Sequence, residues 1–328
     1  MKKNVISKLL TIFLISIVLL SGCSSKESQT TVDKKAITIG ISQLAEHPAL
    51  DAARRGFEDG LKELGIEADI EYQNAQGDIP TSLSIAQKFV KDGVDLIFAI
   101  ATSAAQSAKQ ATDEIPIVFS AVTDPVEAEL VKSMDSPGGN ITGTSDESPM
   151  DRQLKLFKEI DSSIKKVGIV FNTSEPNSQV QVKKAKELAA TLGLEIVEVG
   201  INTINDIPQA VDSIIKKVDA IYTITDNMVA SAINVVAEKA IENNMITVGA
   251  EESHVTGSIL ITDGISYYEL GKQSAKIAKE ILIDGKSPSV IPVETAVNTK
   301  KVYNEETLNA LGLDINNEVF KDAEKIAK

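Results

Sequence analysis

An alternation of short apolar runs with amphipathic stretches, played through twice, constrains this chain more than any other feature. Apolar runs at 36–42, 68–72, 96–100 and 116–119 are separated by stretches 49–64, 80–91 and 103–111, whose apolar residues recur at helical intervals. Gly65 and Gly93 follow the first two stretches, where a helix can end in the left-handed conformation. The pattern returns with runs at 167–171, 194–199, 219–224 and 245–248 and helical stretches 177–192, 206–217 and 227–243, Gly193 again following a helix. Strands spaced by helices pair in parallel through right-handed crossovers. Two such series predict an α/β fold of two doubly wound parallel-sheet lobes.

The polar stretch 140–148, after the Pro137-Gly138-Gly139 turn, reads as the first joint between them. An extended run at 258–263 leads into a helix at 266–284, and another at 291–298 into a helix near 304–311. The economical arrangement assigns 36–143 plus 264–292 to lobe 1 and 144–263 plus 293–328 to lobe 2. Its three crossings form a hinge.

The start of the chain bears on compartment. Lys2, Lys3 and Lys8 precede an apolar run from Leu9 to Leu20, then Ser21, Gly22 and Cys23. That run is too short for a stable membrane span and the right length for a secretory signal. Small residues before a cysteine resemble a lipobox. Residues 1–22 are then a signal peptide, Cys23 is the lipidated residue, and 23–35 is a small, polar tether. Acyl chains contribute about 0.8 kcal/mol per buried CH2, so a lipidated Cys23 holds the protein at the outer face of the cell membrane. Cys23 is also the only cysteine, which excludes intramolecular disulfides and multi-cysteine metal sites.

Removing residues 1–22 takes away three lysines and no acid, moving the net charge from −14 to −17. So acidic a body argues against nucleic acid as a partner. Neither phosphate-loop nor dinucleotide, nucleophile-elbow or zinc-protease motifs occur, and the two histidines, His47 and His254, fall on different predicted lobes. Binding without catalysis and without cofactor is the expectation. A sugar-responsive repressor is excluded because a signal segment stands where its basic helix-turn-helix would be.

In open parallel sheets ligands bind beyond the carboxyl ends of the strands. Two facing lobes direct those ends into one cleft, so the strand-exit loops carry the candidates. The first offers Gln43 and His47, whose ring either meets ligand or lies solvated at a helix start. The third offers Thr102, Ser103 and Ala104, where a helix N-terminus can take a carboxylate as well as an ordinary cap. Ser120 follows the fourth strand, in a loop whose Asp124-Pro125 is turn chemistry. In the second series Asn177 lies in a polar cluster, and Asp226 and Asn227 follow the third strand. Asp226 can accept from a ligand ammonium or cap the helix at 227, and the sequence leaves both open. Glu251 is a second candidate acid. A zwitterion placed between the helix start at 102–104 and one of these acids would be captured as the hinge closes and water leaves.

The lipobox, GISQLAEHPALDAARRGF, FSAVTDPV, NITGTSD, FNTSEPNS, TDNMVASA, YYELGKQSAKIAKEIL and NALGLDI together resemble the tryptophan/tyrosine-type substrate-binding proteins of ABC transporters, over Ile37 to Ile315. The resemblance implies a class I periplasmic-binding-protein fold and an extracytoplasmic, lipid-anchored monomer that delivers ligand to a permease and its ATPase. By position it also implies ligand contacts at Gln43, His47, Thr102 to Ala104, Ser120, the Asn177 loop, Asp226, Asn227 and Glu251. Its known ligands are often aromatic amino acids, which implies tyrosine or tryptophan here; sugars and nucleosides are the alternatives. Phe119, Phe171, Tyr222, Tyr267 and Tyr268 are the aromatic side chains near strand ends or hinge, each more often core than stacking platform. An added role as surface adhesin or ligand sensor is compatible with the same sequence.

Overall fold

The computed structural model describes residues 36–326. Two sheets organise them. The first has six parallel strands in the order β11-β5-β4-β3-β1-β2: β1 Ile37–Gln43, β2 Ala68–Asn74, β3 Leu96–Ile100, β4 Ile117–Val122, β5 Ile141–Ser145 and β11 Glu294–Thr295. The second runs β13-β12-β10-β9-β8-β6-β7: β6 Lys166–Asn172, β7 Glu195–Ile201, β8 Ala220–Thr223, β9 Ile246–Gly249, β10 Ile261–Ile265, β12 Thr299–Asn304 and β13 Glu324–Ile326. Only its β10–β12 pairing is antiparallel.

Inner strands such as β3 (LIFAI) and β4 (IVFSAV) are buried along their whole length, because helices cover both faces of a doubly wound sheet. In the first lobe these are α1 Pro48–Glu63, α2 Ile79–Asp92, α3 Thr102–Ala111 and, returning late, α10 Tyr267–Leu282. In the second they are α4 Met150–Ile160, α5 Pro176–Thr191, α6 Ile207–Ile215, α7 Asn227–Ser231, α8 Ile233–Glu242, α9 Glu252–Thr256, α11 Glu305–Ala310 and α12 Glu318–Lys321. The core of the second lobe divides by strand alternation: Ile169 and Tyr222 face one cluster, Val170 and Ile221 the other.

Local chemistry fixes the helix ends. Asp78 caps α2 by accepting from the Thr81 backbone N–H at 2.9 Å, and Gly93 closes it at φ 68°. The helix α10 belongs to the first lobe through direct backbone contact with α1. A Cβ on Gly56 would stand 2.0 Å from the Tyr268 carbonyl oxygen, and one on Gly271 would stand 2.0 Å from that of Ala53.

The chain passes between sheets at three places: after β5, after β10 and between β11 and β12. All three lie later than the sequence suggests, the second because Gly264 and Ile265 still pair with β12, so that it follows 265 rather than 263. The stretch read as a polar joint contains β5, with all five residues buried. Its hydroxyls are internally satisfied: Thr142 donates to the Ile291 carbonyl at 2.8 Å, Thr144 to the Ser120 hydroxyl at 3.0 Å, and Ser145 to the Thr123 carbonyl at 3.0 Å. Polarity here means bonded, not exposed. The sheet boundary therefore follows Ser145 rather than 143. Glu294 and Thr295 likewise pair with β5, leaving residue 296 as the departure point rather than 292. The stretch 227–243 is two helices, interrupted at Ala232.

Candidate ligand site between the lobes

The carboxyl ends of both sheets converge on one cavity. His47 reaches it from the loop after β1, Ala121 from the end of β4, and Asp146 from the first crossing. Asn177, Asp226, Asn227, Glu251 and His254 come from the second lobe, and Tyr267 from the start of α10. In this state the walls leave about 10 Å³ between them, scarcely room for one water. Two contacts span it: His47 Nε2 lies 3.1 Å from Asn227 Oδ1, and the Thr123 and Thr225 hydroxyls lie 3.5 Å apart. A wider groove of about 450 Å³ adjoins it, sharing Asn227 and lined also by Ser103, Glu175, Ile79 and Ile204.

A web of carboxylates organises the second-lobe wall. Asp226 Oδ1 accepts from the Val229 N–H at 2.8 Å and so caps α7; its Oδ2 accepts from the Asn172 N–H at 2.6 Å and the Ser178 hydroxyl at 2.7 Å. Burial, reinforced by the neighbouring Glu175 carboxylate, pushes Asp226 up to about 7 despite those donors. Glu175 accepts from the Asn227 side chain at 2.6 Å and backbone at 3.1 Å, and from the Asn177 amide at 3.3 Å. Glu251 caps α9 through the Ser253 N–H at 2.6 Å, and burial raises its pKa. His254, pushed down to about 4 by burial, is neutral at pH 7, so its 3.2 Å approach to Glu251 is not an ion pair. Asp146 accepts from the Tyr267 hydroxyl and is likewise raised, chiefly by burial.

Four side-chain atoms on this lining are buried and have no hydrogen-bond partner among the described residues: His47 Nδ1, Asp146 Oδ1, Asn177 Oδ1 and His254 Nε2. Native proteins pair nearly all buried polar groups, so a cluster of orphans in one cavity marks a place built for a polar guest. Across the cleft, α3 starts at Ala101, which has φ 84° and provides no side-chain cap. The Thr102 and Ser103 hydroxyls behind that helix start are also buried and unpartnered. An uncapped, buried helix start favours an anion.

Of the ten residues predicted to meet ligand, the cavity brings together His47, Asn177, Asp226, Asn227 and Glu251, and Ser103 lines the adjoining groove. Thr102 and Ala104 pack beneath the α3 start, 2 % and 0 % exposed. Neither Thr102 nor Ser103 caps the helix; Ala101 occupies the cap position. Gln43 turns back on its own lobe, donating to the Ala45 carbonyl at 2.7 Å and Asp51 at 2.8 Å. Ser120 joins a buried hydroxyl chain with Thr144, which in turn lies 2.9 Å from Ser274. Asp226 does cap α7, the alternative that the sequence left open. Sequence reasoning passed over Asp146, Glu175 and Tyr267 as polar partners. Glu175 lies in the polar cluster noted after β6, but Asp146 sat in a stretch taken for a linker. Of the aromatic candidates only Tyr267 lines the cavity. Phe119 and Tyr222 are core, Phe171 faces another groove, and Tyr268 bonds Asp59 on the outer surface at 3.1 Å. Cys23, the signal stretch and the tether lie outside the described residues.

Comparison with known proteins places this arrangement. A family model described as ABC transporter substrate binding protein matches residues 38–327. A protein of Clostridioides difficile named Tyrosine-binding protein is 43 % identical over 323 residues, covering 95 % of this chain and 93 % of its own. An ABC domain from Streptococcus pneumonia in complex with L-Trp is 32 % identical and superposes with a TM-score of 0.85, covering 89 % of this chain and 100 % of that one. A ligand-free, open substrate-binding protein with adhesive properties from Clostridium difficile is 43 % identical, with the same coverage, but reaches only 0.69. Fold similarity thus runs against sequence identity, as expected if this chain has its lobes drawn together. The chain belongs to the ABC transporter substrate-binding protein family, whose members present a small molecule to a membrane transporter.

Proposed function

We propose that the protein captures an aromatic amino acid, tyrosine or tryptophan, between its lobes and hands it to an ABC permease and its ATPase. One observation carries this reading: orphaned polar atoms gather where the two lobes meet, with acid-rich walls on one side and an uncapped helix start on the other. A zwitterion satisfies both, its carboxylate toward Thr102, Ser103 and Ala104 and its ammonium toward the acids. The relatives' printed names support the aromatic choice. The ligand enters with the lobes apart and, as the hinge closes on it, takes the place of the His47–Asn227 bond. Lipidation at Cys23 keeps the monomer on the outer face of the membrane, and no catalytic step is assigned to it. The adhesive relative supports a second role at the surface in addition to capture.

The test is a thermal-shift panel of the twenty amino acids, sugars and nucleosides on the full chain in detergent, after unfolding and refolding to strip bound solute. Ligand at 100 times its dissociation constant adds about 2.7 kcal/mol of stability. A shift confined to aromatic amino acids supports the reading; a shift with sugars or nucleosides alone overturns it. The chain contains no tryptophan, so bound L-tryptophan can be followed by its own fluorescence.

A further inference from the structure

The acids around the cavity are not equivalent. Asp226, the acid best placed by sequence, has both oxygens occupied by three donors, and Glu251 is held by Ser253. Asp146 is different. One oxygen takes the Tyr267 hydroxyl, while Oδ1 is buried with no bond of proper geometry among the described residues, the nearby Thr123 hydroxyl only helping to hold its charge. Three further orphans share the cavity, and for those of Asn177 and His47 the neighbours settle what they are. Asn177 Nδ2 donates to the Thr225 carbonyl at 3.0 Å and toward the Glu175 carboxylate at 3.3 Å, so its Oδ1 is the atom left facing the cavity. Asn227 donates its amide to Glu175 at 2.6 Å, so its Oδ1 is an acceptor and His47 must offer Nε2–H to it. His47 Nδ1 is then a lone pair.

Three acceptors therefore meet in one small cavity, one of them on a carboxylate, each on a side chain at least nine-tenths buried. A primary ammonium has three N–H donors and one positive charge. We infer that Asp146, Asn177 and His47 together form the ammonium seat of the ligand site, and that Asp226 only positions it, holding Ser178 and hence the start of α5 beside Asn177. This rests on the amino-acid reading above and names the residues that discriminate for the amine. It also puts the charged member of the seat in the hinge: Asp146 lies just past β5 at the first crossing, and its Tyr267 partner opens α10 just past the second.

The experiment compares binding of L-tyrosine with that of 3-(4-hydroxyphenyl)propanoate, which lacks only the amine, by calorimetry on the full chain in detergent. In the parent protein tyrosine is favoured by about 100-fold or more, the cost of leaving a buried charge without its partner. In Asp146→Asn that ratio falls below about tenfold, mostly through weaker tyrosine binding; Asp226→Asn, which reaches the seat only through Ser178 and Asn177, lowers the ratio less and changes thermal stability. Tyr267→Phe, which removes only the hydroxyl orienting Asp146, gives an intermediate ratio and serves if Asp146→Asn does not fold. A parent-like ratio in Asp146→Asn, or in Tyr267→Phe should it stand in, overturns the seat, as does a collapse confined to Asp226→Asn. If the parent binds only L-tryptophan, the same comparison is made with 3-(indol-3-yl)propanoate; a parent protein that binds neither amino acid overturns the amino-acid reading itself, and the seat with it.

Discussion

The two lobes share a fold and face the same cavity, yet they furnish it differently. The first contributes neutral groups, namely the His47 imidazole in the cavity and, toward the adjoining groove, the uncapped start of α3 with the buried hydroxyls of Thr102 and Ser103. The second contributes Glu175, Asp226, Glu251 and His254, all within buried networks. A doubly wound lobe supplies strand-exit loops and helix starts as a matter of geometry; which charges occupy them is free to differ. The first lobe is accordingly a fixed dipolar surface, the second a titrating one, with the hinge between them holding Asp146.

That contrast can be broken by experiment. The largest effect concerns pH. His254 sits at about 4 in the fold against about 6.5 when unfolded, so its contribution to stability is present above pH 6.5 and is lost as pH falls toward 4. By itself this is about 3 kcal/mol. Asp226 acts in the opposite sense: raised to about 7, it contributes most near pH 4 and loses that contribution as pH rises to 7. In His254→Asn, denaturant titration shows stability falling from pH 4 to 7 by about 3 kcal/mol more than in the parent. If the two profiles run parallel, that titration does not reside in the second lobe.

Next in size, Gly271→Leu forces α10 off α1 and costs about 3 kcal/mol or slightly less by overpacking, read in the same titration. Asp226→Ala removes a cap and orphans buried donors, costing about 2 kcal/mol at pH 5 and less at pH 8, where the lost charge was unfavourable. Ser103→Ala, on the neutral lobe, lowers ligand affinity by about 1 kcal/mol at every pH from 5 to 8. A pH-dependent loss there would erase the distinction between a dipolar and a titrating wall.

The lobes were legible in the sequence because periodicity reports burial directly, and β3 occupies the very residues that its apolar run picks out. What was lost was polar but buried. The strand β5 reads as linker because Thr142, Thr144 and Ser145 look solvated, and their partners lie 22 to 149 residues away. Asp146 was missed for the same reason. The helix α4 went unread beside it, although Met150, Leu154 and Phe157 line its inner face; there Gln153 bonds the Ala250 and Asp263 carbonyls at 2.9 Å. Asp226 was found, but only the Asn172 and Ser178 contacts, more than forty residues distant, show that its oxygens are spoken for.

The contact between α1 and α10 has a consequence for the order of assembly. Tyr268 bonds Asp59 and Lys272 bonds Glu63, each across 209 residues of chain. The lobe that is translated first therefore waits for a helix made after nearly all of its neighbour, and its edge strand β11 arrives later still. Such distant closure slows folding, because the entropy of a long loop is lost before the contact rewards it. A nascent chain of this protein keeps its first lobe unfinished, and open to whatever machinery handles unfolded polypeptide, until α10 and β11 have emerged.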